Sequence, residues 1–161
     1  MNTKRLTVLS CLLGLSLILF TIEAQLPPLI PLPGVKLGLA NIVVLVTMVL
    51  YGKKDAFCIL ILRILLGSIM TGSGMAILYS LAGGICCFIT MSVCYPRGSE
   101  RLFVVSALGA IGHHIGQLVM AMIVLQSKGV LVYLPVLISA GIIMGVFTGI
   151  CAQGSLKQWK K

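Results

Sequence analysis

The sequence predicts an all-α membrane protein, a bundle of about six transmembrane helices with the N-terminus and C-terminus both cytoplasmic. Three observations carry this. Of 161 residues, 59% are hydrophobic and only 9% charged, against about 25% charged in soluble domains. The apolar residues fall in runs of span length, broken by charge or by Gly/Pro clusters. The basic residues, which give a net charge of +9, fall mostly in the short segments that flank those runs.

The runs lie near 6–24, 35–51, 55–71, 75–95, 102–126 and 130–153, within a single integral membrane domain 1–161. A spanning helix needs about 20 apolar residues, so the second is short. Backbone groups in lipid must bond within their own segment, which makes each span helical. The opening stretch, Met1–Arg5 followed by Leu6–Phe20, has the layout of a signal peptide. Cleavage after Ala24 would place Ile22 where a small residue belongs, so it is read as a retained first helix.

The connections set the topology. Pro27, Pro28, Pro31 and Pro33 lack the N–H a helix requires, so the segment from Gln25 to Gly34 is expected to be a stiff extended loop. Tyr51–Asp55 and Tyr95–Arg101 are charged turns, and Thr71–Gly74 is an uncharged one. With the N-terminus inside, Lys4, Arg5, Lys53, Lys54, Arg97, Arg101, Lys157, Lys160 and Lys161 are inside, and Lys36 and Lys128 outside. An excess of Lys/Arg on the cytoplasmic side is the rule for membrane proteins. The Pro-rich loop then faces outward. This distribution leaves no basic face for nucleic acid.

Polar residues inside apolar spans ask for a reason. Arg63 falls near the middle of the third run, where an Arg costs about 2.5–3.5 kcal/mol on insertion scales. It lines a cavity, binds a substrate, pairs with Glu23 at the outer end of the first span, or is held structurally by helix carbonyls. His113, His114 and Gln117 sit in the fifth run, and spacings of three and four put Gln117 beside both histidines. They read as a polar patch facing a cavity, or as hydrogen-bonding glue between helices. Asn41 needs partners if buried, and Lys36 near the outer surface either snorkels or meets an anionic group. Lys36, Asn41, Arg63, His113, His114 and Gln117 are therefore the candidate substrate-binding residues.

Small residues mark close helix contacts. Gly141, Gly145 and Gly149 form one ladder, Gly112 and Gly116 another, and Ser10 with Gly14 a third; inside the chain such faces build the bundle, and on its outside they dock a partner. The six cysteines have no Cys-x-x-Cys spacing and read as small buried hydrophobes. No metal site, cofactor or catalytic residue is expected: there is no P-loop, and Glu23, Asp55 and Glu100 are far apart in sequence, unsuited to paired-carboxylate catalysis or a Mg²⁺–diphosphate site.

Four stretches carry a family resemblance: Pro27 to Asn41, Leu62 to Ser68, Tyr79 to Gly84, and His113 to Leu118. Together they resemble the bacterial membrane family called heptaprenyl diphosphate synthase component I, also known as the Gx transporter family, in which Asn stands where this chain has His114. The resemblance implies a bacterial cytoplasmic membrane protein in isoprenoid or quinone biosynthesis, partnered by a soluble prenyl synthase. The family also looks like the substrate-binding subunits of energy-coupling factor transporters. Those have six helices, an outward first loop acting as a lid, and small first-helix residues that dock a transmembrane coupling subunit. On that likeness the main expectation is a small-molecule uptake subunit energised by separate ATPase subunits, its ligand under the loop 25–36. The alternative is a non-catalytic membrane accessory of a prenyl synthase.

Overall fold

The computed structural model describes residues 3–25, 36, 38–72, 74–95 and 101–159. Among them there is no strand. The helices are α1 (Thr3–Gln25), α2 (Asn41–Tyr51), α3 (Lys53–Thr71), α4 (Gly74–Cys94), α5 (Leu102–Leu125) and α6 (Leu134–Trp159), with a 3₁₀ turn over Lys128–Tyr133 before α6. The Pro-rich loop expected over Gln25–Gly34 lies almost wholly outside the described residues, as does most of the charged turn after Tyr95.

The chain is an all-α membrane protein. Four helical stretches, Thr3–Gln25, Gly74–Cys94, Leu102–Leu125 and Lys128–Gln158, are long and apolar enough to cross a membrane. Their outer surfaces, and that of α3, carry large apolar side chains such as Ile18, Ile69, Val93, Val132 and Ile143, which suit lipid and not water. Helix α2 is different. Its 11 residues extend about 16 Å at 1.5 Å per residue, roughly half the hydrocarbon thickness. It starts at Asn41, not at 35, because Gly38 takes φ +83°, which no helix accommodates. A turn then winds in, with the N–H groups of Asn41 and Ile42 donating to the carbonyls of Gly38 and Leu39 at 3.0 and 3.2 Å.

Glycine also ends α2 and α3. Gly52 and Gly72 have φ of +93° and +64°, and their N–H groups return to the Met48 and Ser68 carbonyls at 3.1 and 3.0 Å. Such positive-φ caps close a helix without cost only when Cβ is missing.

Two seams of small residues organise the second half of the chain, in which α4 and α6 both pack along α5. A Cβ on Gly116 would sit 2.4 Å from the Ala82 carbonyl oxygen of α4. Cβ atoms on Gly145 and Gly149 of α6 would sit 2.5 and 2.4 Å from the Cα atoms of Ala107 and Phe103 on α5. The expected glycine ladders are thus where backbones meet. The Ser10/Gly14 pair is placed otherwise: Ser10 is exposed, and a Cβ on Gly14 would meet nothing within 4 Å.

One end of the bundle gathers basic residues. Arg5 of α1 forms a salt bridge with Asp55 of α3 and lies over the Tyr51 ring, 5.8 Å from its centroid. Lys53 donates to the Ser92 carbonyl at 2.7 Å. At this end an apolar core forms from residues such as Met48, Leu60, Met91, Leu102 and Leu156. A second, smaller cluster around Tyr79, Leu118, Ala121 and Leu137 fills the other end. On α5, His113 and Gln117 fall between Val105 of the first cluster and Ala121 of the second.

Candidate functional site

The polar residues between those two cores come from four elements and the approach to α2. Glu23 is near the end of α1 and only 6% exposed. Its two carboxylate oxygens accept from the backbone N–H groups of Gly38 and of Leu39, the latter at 3.1 Å. Two backbone donors on one carboxylate compensate for taking it out of water. The left-handed Gly38 makes this possible by turning the chain just ahead of α2. A Cβ there would lie 2.8 Å from Asn41 Nδ2 and 3.1 Å from His113 Cδ2, so no larger residue fits.

Arg63 is 3% exposed. Its Nη2 donates to Asn41 Oδ1 at 3.1 Å, while Nε has no hydrogen-bond partner among the described residues. The sequence offered Glu23 as one ion-pair partner. The structure keeps the two beyond ion-pair distance, with Arg63 on Asn41 and Glu23 on backbone donors, although the carboxylate still lies in the field of Arg63 and Lys36. Lys36 places its ammonium 3.6 Å from the centroid of the Phe20 ring on α1, a close cation–π contact. Phe20 is itself seated against Gly67 of α3, where a Cβ would come within 2.7 Å of the ring.

Gln117 closes the cluster from α5. In the orientation that satisfies its neighbours, its amide donates to the Lys36 carbonyl and accepts from the Lys36 N–H and from His113 Nε2, each at 3.1 Å. His113 leans towards α4, where a Cβ on Gly83 would meet its ring at 2.8 Å. His114 is turned elsewhere. It is 1% exposed, and its ring faces Gly141 of α6, where a Cβ would come 2.8 Å from Cδ2. The two rings stand 5.7 Å apart at 67°.

Of the six candidates, Arg63 pairs with Asn41, Gln117 joins His113 to the half-buried Lys36, and the two groups adjoin at Gly38, while His114 packs beside them against α6. Sequence reasoning missed the two backbone donors at Gly38 and Leu39 and the aromatic seat for Lys36. No residue type announces a backbone N–H, and Phe20 in an apolar run carries no polar signal. The space left over is small. A cavity of about 10 Å³ touches Gly38, Asn41, Ser106 and Thr148, room for about one water.

A second feature is apolar. A cavity of about 270 Å³ opens between α1, α2 and α6, lined by leucines such as Leu12, Leu19, Leu50 and Leu156 with Val46. It runs towards the basic end of the bundle, where Arg5 and Lys53 lie.

The residues from Leu12 to Ser155 match the family model described as heptaprenyl diphosphate synthase component I. The chain belongs to that family. No curated protein and no solved structure matches it. The family membership ties the polar network and the apolar cavity to a membrane component named for prenyl diphosphate synthesis. The described acids sit at opposite ends of α1: Asp55 is held by Arg5, and Glu23 by the Gly38 and Leu39 N–H groups.

Proposed function

We propose that the chain is the non-catalytic membrane accessory component of a heptaprenyl diphosphate synthase, resident in the bacterial cytoplasmic membrane. The family membership carries this reading. Diphosphate chemistry of this kind needs carboxylates that hold Mg²⁺; among the described residues Glu23 and Asp55 are both engaged elsewhere, which supports placing the chemistry on a soluble partner. The apolar cavity between α1, α2 and α6 suits a prenyl chain, with the basic end of the bundle next to the site where a diphosphate would remain in water. Tagged chain purified gently from its own host is expected to bring a soluble synthase with Asp-rich motifs, and membranes lacking the chain are expected to make shorter or fewer prenyl products. Purification without such an enzyme, with unchanged products, would sink the reading.

The buried polar network favours a second reading, capture of a small molecule for uptake. In it the ligand sits under the loop 25–36 among Asn41, Arg63, His113, His114 and Gln117. The Ser10/Gly14 face of α1, where Ser10 is exposed and Gly14 half-buried, would dock a transmembrane coupling subunit that separate ATPases drive. Co-purified ATPases in place of a synthase would select it.

Both readings use the same orientation, with six spans and both termini cytoplasmic. The gathering of Arg5 and Lys53 at one end supports placing the N-terminus and the α2–α3 turn together on the cytoplasmic side. Reporter fusions check it: a C-terminal fusion is expected to be active only for a cytoplasmic reporter, and a fusion at Lys128 only for an exported one. The reverse pattern would invert the protein.

A further inference from the structure

We propose that the residues leading into α2, with Lys36 and Arg63, form an anion-binding cradle that Glu23 fills as a tethered carboxylate. The carboxylate or phosphate group of a small molecule takes the place of Glu23. This concerns the network used by the second reading, but it stands whether or not the chain takes part in transport.

The parts are those an anion site requires. Gly38 and Leu39 aim two backbone N–H groups at one spot, and both are occupied by Glu23 oxygens. They lie just ahead of the N-terminus of α2, where the helix dipole favours negative charge. Two cations share the field of that spot, Lys36 and Arg63. Arg63 carries more capacity than the chain uses: it is almost wholly buried, with Nε unpartnered among the described residues. A buried guanidinium with a spare donor is costly unless something bonds it, and a planar carboxylate or a phosphate is what its fork fits best. The cavity beside Gly38 and Asn41 holds about one water only, so a ligand enters by exchange and not by addition.

Exchange conserves charge, because one anion leaves as another arrives. Glu23 has somewhere to go. It lies two residues from the end of α1, and Ala24 and Gln25 beside it are exposed. Its two hydrogen bonds also tie α1 to the start of α2. Ligand binding would therefore untie the outer end of α1, so that occupancy is reported along the helix that carries Ser10 and Gly14.

The test is chemical rescue. Glu23→Ala empties the cradle and should lower the thermal unfolding temperature of the protein in lipid nanodiscs. Sodium formate, acetate or phosphate should then raise it by several degrees, with sodium chloride at equal ionic strength as the reference. Wild-type protein should respond less, because its own carboxylate competes, and Arg63→Met in the Glu23→Ala background should abolish the rescue. Greater rescue by acetate than by phosphate assigns a carboxylate ligand, and the reverse assigns a phosphate. Equal unfolding temperatures in all four salts would overturn the proposal. If Glu23→Ala does not fold, Glu23→Ser, which is too short to reach the two N–H groups and also vacates the cradle, is read in the same way. Phosphorus NMR of inorganic phosphate tests the unmodified protein independently: line broadening by wild type that falls in Lys36→Ala supports the cradle, and no broadening counts against it. None of these results depends on which protein co-purifies.

Discussion

Asn41→Leu is expected to destabilise the folded protein by about 3 kcal/mol, the scale for stripping a buried charge of its partner. Asn41 Oδ1 is the side-chain acceptor for Arg63, at 3.1 Å, and leucine offers none. The desolvated guanidinium would then keep its burial cost and lose its compensation. The same logic makes the second substitution informative. Arg63→Met added to Asn41→Leu removes the orphaned cation and should recover part of the loss, so the double variant is more stable than Asn41→Leu alone. Unfolding in detergent or nanodiscs measures both. Additive losses would show that the two residues act independently and that their hydrogen bond contributes little.

Gly116→Val should cost about 3 kcal/mol or more, at the upper end of what overpacking a well-packed interior costs. The first added carbon would already lie 2.4 Å from a backbone oxygen of α4, and backbone cannot rotate away as a side chain can. Gly14→Val is the matched control. It adds the same atoms to a helix where nothing lies within 4 Å, so its stability should stay within about 0.5 kcal/mol of wild type. A loss of co-purifying partner in Gly14→Val, with stability intact, would mark α1 as a docking face. Equal damage by the two substitutions would refute the packing argument.

These two cases also show what could be read from the sequence. The helices were legible because lipid leaves the backbone no alternative, so apolar run length translates directly into helix. The glycine ladders of α5 and α6 were legible as close contacts, but not which helix each would meet: the Gly116 face meets α4, while Gly145 and Gly149 meet α5. The late start of α2 was hidden, since Gly38 in an apolar run does not reveal the sign of its φ. Arg63, Asn41, His113 and Gln117 stood out because polar groups are conspicuous in apolar runs, and they do converge. Helical spacing placed His114 equally close to Gln117, yet its ring turns to α6. Spacing along one helix fixes a face only to within a quarter-turn or so, and the neighbouring helices decide the rest.

The glycine seams have a consequence for the surrounding bilayer. Where backbone rests on backbone, neighbouring helices cannot slide or tilt by changing rotamers. The α4–α5–α6 half is therefore the stiff part, with helices of 21, 24 and 26 residues, about 32 to 39 Å long at 1.5 Å per residue. Helices α1 to α3 meet more through side chains, as where Phe20 lies against Gly67, and these can adjust. Hydrophobic mismatch is then accommodated unequally: on one flank the lipid adapts its thickness to the protein, and on the other the protein adapts to the lipid.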